Sequence, residues 1–127
     1  MAQTALELTE EEFKTYKRAA KLWKQRTDGE TIKREERAWE LAHAAAKLLR
    51  ERFGASRVVV FGSLVHKGCF TRWSDVDIAA WGLDPKDTFR AIGAVQDLDT
   101  DIEINLVDVA TCSASLLSTI EKEGVDL

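Results

Sequence analysis

An α/β fold, a small mixed sheet flanked by helices, is what this 127-residue chain predicts, on three observations. The β-branched run Val58-Val59-Val60-Phe61 stops abruptly at Gly62-Ser63, as a buried strand feeding a tight turn would. After residues 64–74, Asp75-Val76-Asp77-Ile78 alternates so that both carboxylates share one strand face. Before and after these segments apolar residues recur at helical spacing.

In chain order, Thr9-Glu10-Glu11-Glu12 is a capping box, and Phe13, Tyr16, Ala20 and Trp23 continue it as a helix studded with Lys and Arg. Asp28-Gly29 should break this helix, making residues 1–29 an N-terminal helical extension of a core at 30–127. The extension is expected to be a solvated cationic surface packed by its aromatic stripe, with docking to an acidic partner or RNA as the alternative. A longer helix from Glu30 to Phe53 places Ala38, Leu41, Ala42, Ala45, Leu48 and Leu49 on one face and leaves His43 on its flank in a structural role. Gly54 stops it, and Arg57–Phe61 is the first core strand.

Asp75 to Trp81 is the second strand. Gly82-Leu83-Asp84-Pro85 then supplies a turn, an N-cap and a proline at the first helical position, opening a helix that buries Phe89, Ile92 and Val95 and ends near Gln96. Asp101 to Val107 alternates as a third strand, with Asp101, Glu103 and Asn105 on one face and Ile102, Ile104 and Leu106 on the other. A last helix, Ser113 to Glu123, buries Leu116, Leu117 and Ile120 and is stopped by Gly124.

Composition sets limits on function. The length suits one domain. A net charge of −4 offers no global basic field, so nucleic acid is not the favoured partner. Cys69 and Cys112 lack metal-ligand spacing and are expected to be reduced thiols. No apolar run approaches a membrane span, and Met1-Ala2-Gln3-Thr4 has no signal-peptide pattern, so a cytoplasmic protein is expected.

The chemistry concentrates between the first two strands. Paired acids repel unless a cation lies between them, and oxygen-only ligation suits Mg²⁺, which takes one or two carboxylates and completes its shell with water and phosphate. Gly62 lets backbone N–H groups approach a phosphate, and the Ser63 hydroxyl adds a donor. Lys67, with His66 and Arg72, and Ser74 lie in the joining loop as further candidate nucleotide ligands. Trp73 is expected to close the core, with stacking on a base as the alternative. Cys69 has no recognisable partner for nucleophilic work. These parts describe a nucleoside-triphosphate site.

At these residues the chain resembles the nucleotidyltransferase superfamily with the DNA polymerase β-like fold. That signature, Gly-Ser followed about ten residues later by Asp-apolar-Asp-apolar, stands here as Phe61-Gly62-Ser63 and Asp75-Val76-Asp77-Ile78. The small size and the closing Ile120-Glu121-Lys122-Glu123-Gly124-Val125 look most like the minimal nucleotidyltransferases associated with HEPN toxins. The resemblance spans residues 38–127. It implies Mg²⁺ held by Asp75 and Asp77, an NTP (ATP) cradled by Gly62 and Ser63, transfer of a nucleoside monophosphate to a hydroxyl, and a homo- or hetero-oligomer. The hydroxyl it suggests is a tyrosine of a HEPN toxin, with this chain as antitoxin.

The family also places a third carboxylate on the third strand, where this chain has Asn105. An amide oxygen ligates Mg²⁺ but accepts no proton at neutral pH. Glu103 shares its face two residues earlier, each residue rising roughly 3.3 Å. Either Glu103, helped by Asn105, completes the catalytic and metal set with Asp75 and Asp77, or the chain is a non-catalytic module that binds nucleotide or sequesters a partner.

Overall fold

A computed structural model describes residues 28–66 and 68–127. The expected N-terminal helix begun at Thr9 lies outside the described residues. Helix α1, Asp28–Phe53, starts two residues ahead of the expected Glu30 and takes in Asp28-Gly29. Its buried positions Ala38, Leu41, Ala42, Ala45, Ala46, Leu49 and Phe53 recur every three or four residues, and the small side chains let it lie close on the sheet. Gly54 ends it at φ 71°, a left-handed conformation that glycine adopts without strain.

Strand β1, Arg57–Phe61, pairs antiparallel with β2, Val76–Trp81, which pairs in parallel with β3, Ile104–Asp108. A two-residue strand β4, Val125–Asp126, adds antiparallel to the other edge of β1. The sheet order is β3-β2-β1-β4, with β1 and β2 central. Helix α2, Thr88–Gln96, makes the crossover between the parallel strands, and α3, Ala114–Glu123, precedes β4. Short 3₁₀ turns follow β1 at Gly62–Val65 and β3 at Val109–Thr111.

Strand alternation sorts the core into two layers. Val58, Val60, Val76, Ile78, Ala80 and Ile104 face α1 and α2. Val59, Phe61 and Ala79 face the other way, onto Ile120 of α3. β1 is therefore covered on both faces, which explains its unbroken apolar run. Each fully buried Leu or Ile in this core, such as Leu49 and Ile78, contributes about 2 kcal/mol. No helix among the described residues is long and apolar enough to cross a membrane.

Three boundaries differ from expectation. Asp84 does not cap α2: its carboxylate accepts the Lys86 N–H (3.0 Å) within a separate turn, and the helix opens at Thr88, whose hydroxyl donates to buried Asp108 (3.0 Å). With Ala91 and Val95 as its buried positions, Phe89 sits two residues, about 200°, away from Ala91 and is 86 % exposed. β3 starts at Ile104 rather than Asp101 because the Asp99 carboxylate accepts the N–H groups of Asp101 and Ile102 (3.1 and 2.8 Å), holding them in a turn. β4 was not expected at all. It follows from Gly124, where an added Cβ would strike the Val59 side chain and the Ile120 carbonyl.

Since φ at Gly124 is −70°, the constraint there is steric, not conformational. Gly124→Ala should lower stability by about 1–3 kcal/mol, the usual cost of overpacking, seen as a lower midpoint in urea. An unchanged midpoint would mean that β4 does not hold its place against Val59.

Candidate active site

The site begins with a register. Phe61, Asp77 and Asn105 are aligned across β1, β2 and β3. Phe61 is the last residue of β1, so the chain turns into Gly62 directly beside Asp77. Gly62 has φ 78°, and a Cβ there would lie 2.5 Å from Asp77 Oδ2. Both facts demand glycine, and both bring turn backbone against a carboxylate. The half-buried Ser63 hydroxyl has no hydrogen-bond partner among the described residues and is available to a ligand.

Asp75 and Asp77 emerge on the same face, both half-buried. The Asn105 amide nitrogen donates to Asp75 Oδ2 and to Asp77 Oδ1, each at 3.4 Å. Burial pushes the Asp77 carboxyl above its ordinary value; the Asn105 hydrogen bond opposes this, and the Asp75 charge adds to it. Glu103 lies just before β3, exposed, with its backbone carbonyl accepting the Val76 N–H (2.9 Å). Among the described residues no three acidic, histidine or cysteine side chains gather to hold a metal ion. The structure thus brings Asn105 to the acid pair and leaves Glu103 in solvent beside it. The two crowded carboxylates suit Mg²⁺, which needs few protein ligands when phosphate supplies the rest, whereas Asn105 turns its amide nitrogen to them and would join the set only by presenting its oxygen instead.

The loop entering β2 is fixed by contacts that sequence reasoning missed. Arg34 of α1 donates to the carbonyls of Thr71 (3.3 Å) and Ser74 (3.4 Å), and its guanidinium lies over the buried Phe70 ring at 5.9 Å. The Ser74 hydroxyl accepts the Thr71 N–H (2.9 Å) and shares a hydrogen bond with the Thr71 hydroxyl (3.2 Å). Ser74, a candidate nucleotide ligand, therefore has its hydroxyl engaged in closing a turn. The spacing Thr71-x-x-Ser74 was the available signal; nothing in the sequence tied Arg34 to it. Trp73 does not close the core: it is 76 % exposed, with Arg72 over its ring at 4.9 Å. Lys67 lies outside the described residues. His66 is exposed and 3.4 Å from Glu123, and His43 is exposed on the flank of α1, as expected. Cys69 and Cys112 are free thiols.

The raised Asp77 carboxyl has a thermodynamic consequence. The folded state holds the proton more tightly than the unfolded chain, so stability falls as pH rises through the carboxylate range and the full cost is present above it. At neutral pH in EDTA, Asp77→Asn should raise Tm, and the gap should close as pH falls through that range. A variant no more stable than wild type at neutral pH would show that the crowded pair carries no cost.

No protein-family model matches this chain, and no curated protein matches it at a significant level. Solved structures do. A crystal structure of a mutant of the toxin–antitoxin MntA-HpeT matches with a TM-score of 0.55 at 26% identity, over 67% of this chain and 69% of that one. A crystal structure of the toxin–antitoxin with AMP-PNP matches at 0.57 and 26%, over 67% and 70%. A rebuilt and re-refined structure of tri-AMPylated Shewanella oneidensis HEPN toxin in complex with MNT antitoxin matches at 0.53 and 22%, over 70% of each chain. The resemblance carried by Gly62, Ser63, Asp75 and Asp77 is borne out: this chain has the nucleotidyltransferase-like α/β fold of the MntA antitoxins, the minimal-nucleotidyltransferase type.

Proposed function

We propose that this protein is a nucleotidyltransferase that moves AMP from ATP to a hydroxyl, a tyrosine side chain of a HEPN-domain partner, and so acts as the antitoxin of a cytoplasmic pair. The observation that carries the reading is the Gly62 turn set against Asp77, in register with Asn105 and two residues from Asp75. The similarity to structures described as a toxin–antitoxin with AMP-PNP and as an AMPylated HEPN toxin with its antitoxin supports the nucleotide and the partner.

In this reading the N–H groups of the Gly62–Val65 turn and the Ser63 hydroxyl hold the outer phosphates. Asp75 and Asp77 would hold Mg²⁺, with the Asn105 amide completing the set. When bound, the ion offsets charge on the phosphates and orients them. Asn105 spaces the two carboxylates, and the Arg34-bound turn fixes where Asp75 begins. The acceptor oxygen attacks the α-phosphorus, the bond to the bridging oxygen breaks, and pyrophosphate leaves with the electron pair. The hydroxyl proton needs a base that Asn105 cannot be, and Glu103, exposed just before β3, is the carboxylate assigned to it.

A non-catalytic binding module is the second reading, favoured by the amide standing where the superfamily carries an acid. The two separate in a transfer assay with α-labelled ATP and the HEPN partner. Under the catalytic reading Glu103→Gln lowers transfer by about 10²-fold or more, while ATP affinity changes little. Asn105→Asp then adds little. A wild type that transfers nothing, with Asn105→Asp gaining activity, supports the binding module; an active wild type indifferent to Glu103→Gln removes Glu103 from the site.

A further inference from the structure

The first turns of α1, the 71–74 turn and the segment leading to β3 enclose an open cleft of about 420 Å³ lined by Glu30, Thr31, Arg34, Arg72, Trp73 and Asp101. None of Gly62, Ser63, Asp75, Asp77 and Asn105 lines it, so it is separate from the acid-pair site. We infer that this cleft seats the chain's own N-terminal segment, residues 9–26, with the aromatic stripe of that segment on Trp73 and its cations facing Glu30 and Asp101. The inference does not depend on the nucleotidyltransferase reading.

The cleft presents an apolar ring beside unanswered negative charge. Trp73 is 76 % exposed, although a ring of its size gains most from burial. Glu30 and Asp101 are exposed, and neither carboxylate has a hydrogen bond or ion pair among the described residues. The two arginines do not answer them: Arg34 donates to the carbonyls of Thr71 and Ser74, and the Arg72 guanidinium lies over the Trp73 ring at 4.9 Å. A surface of this kind fits a helix that is aromatic on one face and cationic around it.

Residues 9–26 have that pattern. Phe13, Tyr16, Ala20 and Trp23 recur at spacings of three and four, and residues 13–26 carry six Lys and Arg with no Asp or Glu. Such a stripe stays in water unless a surface receives it. Reach favours this segment over a separate partner. Six residues lie between Trp23 and Glu30, at most about 25 Å of chain, so the segment is tethered at the mouth of the cleft and meets it at high effective concentration.

The receiving surface is also fixed in advance, which lowers the cost of ordering on contact. Hydrogen bonds between Thr71 and Ser74 close the turn that carries Trp73, and Arg34 ties that turn to α1. The Arg37–Asp99 ion pair at 3.5 Å holds the segment before β3 against the same helix.

Limited tryptic digestion of the full chain, with cuts assigned by mass spectrometry, tests the seat, because each cation in 13–26 is a cleavage site. Cleavage then follows the population in which the segment is released. Since Trp73 is 76 % exposed, its variants should fold. Trp73→Ala should speed cuts within 13–26 by about tenfold, Trp73→Phe should recover most of the protection, and Glu30→Gln with Asp101→Asn should speed cutting by about threefold. Trp23→Ala should match Trp73→Ala, and the double variant should cut little faster than either, since both rings belong to one contact. Equal rates in wild type and Trp73→Ala overturn the inference, as do single effects that multiply in the double variant. Cuts that speed up equally throughout 28–127 overturn it as a general loosening of the fold. Protection that fades on dilution also overturns it, giving the cleft to the segment of another copy.

Discussion

The contact between Gly62 and Asp77 is what the rest of this structure serves. It exists because β1 ends at Phe61, opposite Asp77. That register is held by the core: Val76, Ile78 and Ala80 are buried beneath α1, and a one-residue slip would turn all three to the other face and carry Asp77 into the apolar layer. The pattern that stabilises the sheet is therefore the one that places the acid, and core packing and site geometry cannot vary independently. Burial raises the Asp77 carboxyl, the Asp75 charge adds to this, and the Asn105 amide nitrogen donates to both carboxylates.

The loop between β1 and β2 gives the second constraint. Gly62 and Asp75 lie at its two ends, so its conformation decides whether the glycine turn and the acids come together. Phe70 anchors its middle in the core at 1 % exposure, and Arg34 holds its last turn against α1. The helix thus has two roles. Its alanine-rich face packs on the sheet, and its first turns carry the guanidinium that fixes the approach to Asp75.

Much of this was legible in the sequence. The runs at Val58–Phe61 and Asp75–Trp81 marked the central strands because burial on both faces, or on alternate sides, leaves an unambiguous pattern, and Gly62 and the two aspartates stood at their ends. What was illegible depended on long-range contacts. The start of α2 is set by Thr88 bonding to Asp108, twenty residues on, against the local signal of Asp84-Pro85. The start of β3 is set by Asp99, whose side chain draws Asp101 and Ile102 out of the ladder. β4 is too short to have a period and is held by long-range contacts, its pairing with Val59 and Val60 and the Arg57–Asp126 ion pair at 2.8 Å. Trp73 was read as core because large aromatics usually bury, yet a turn tied down by polar bonds keeps it outside. Glu103 shares a face with Asn105 in an ideal strand, and the actual strand begins one residue after it.

In the proposed function the glycine turn and the paired acids form one ion-dependent phosphate site. Its most direct test is calorimetric titration of the wild-type protein with ATP, first in Mg²⁺ and then in EDTA. If Asp75, Asp77 and the Gly62 turn share the ligand through the ion, affinity should fall by about tenfold or more on chelation, since two uncompensated carboxylates would then face the phosphates. Equal affinity in the two conditions would contradict the account.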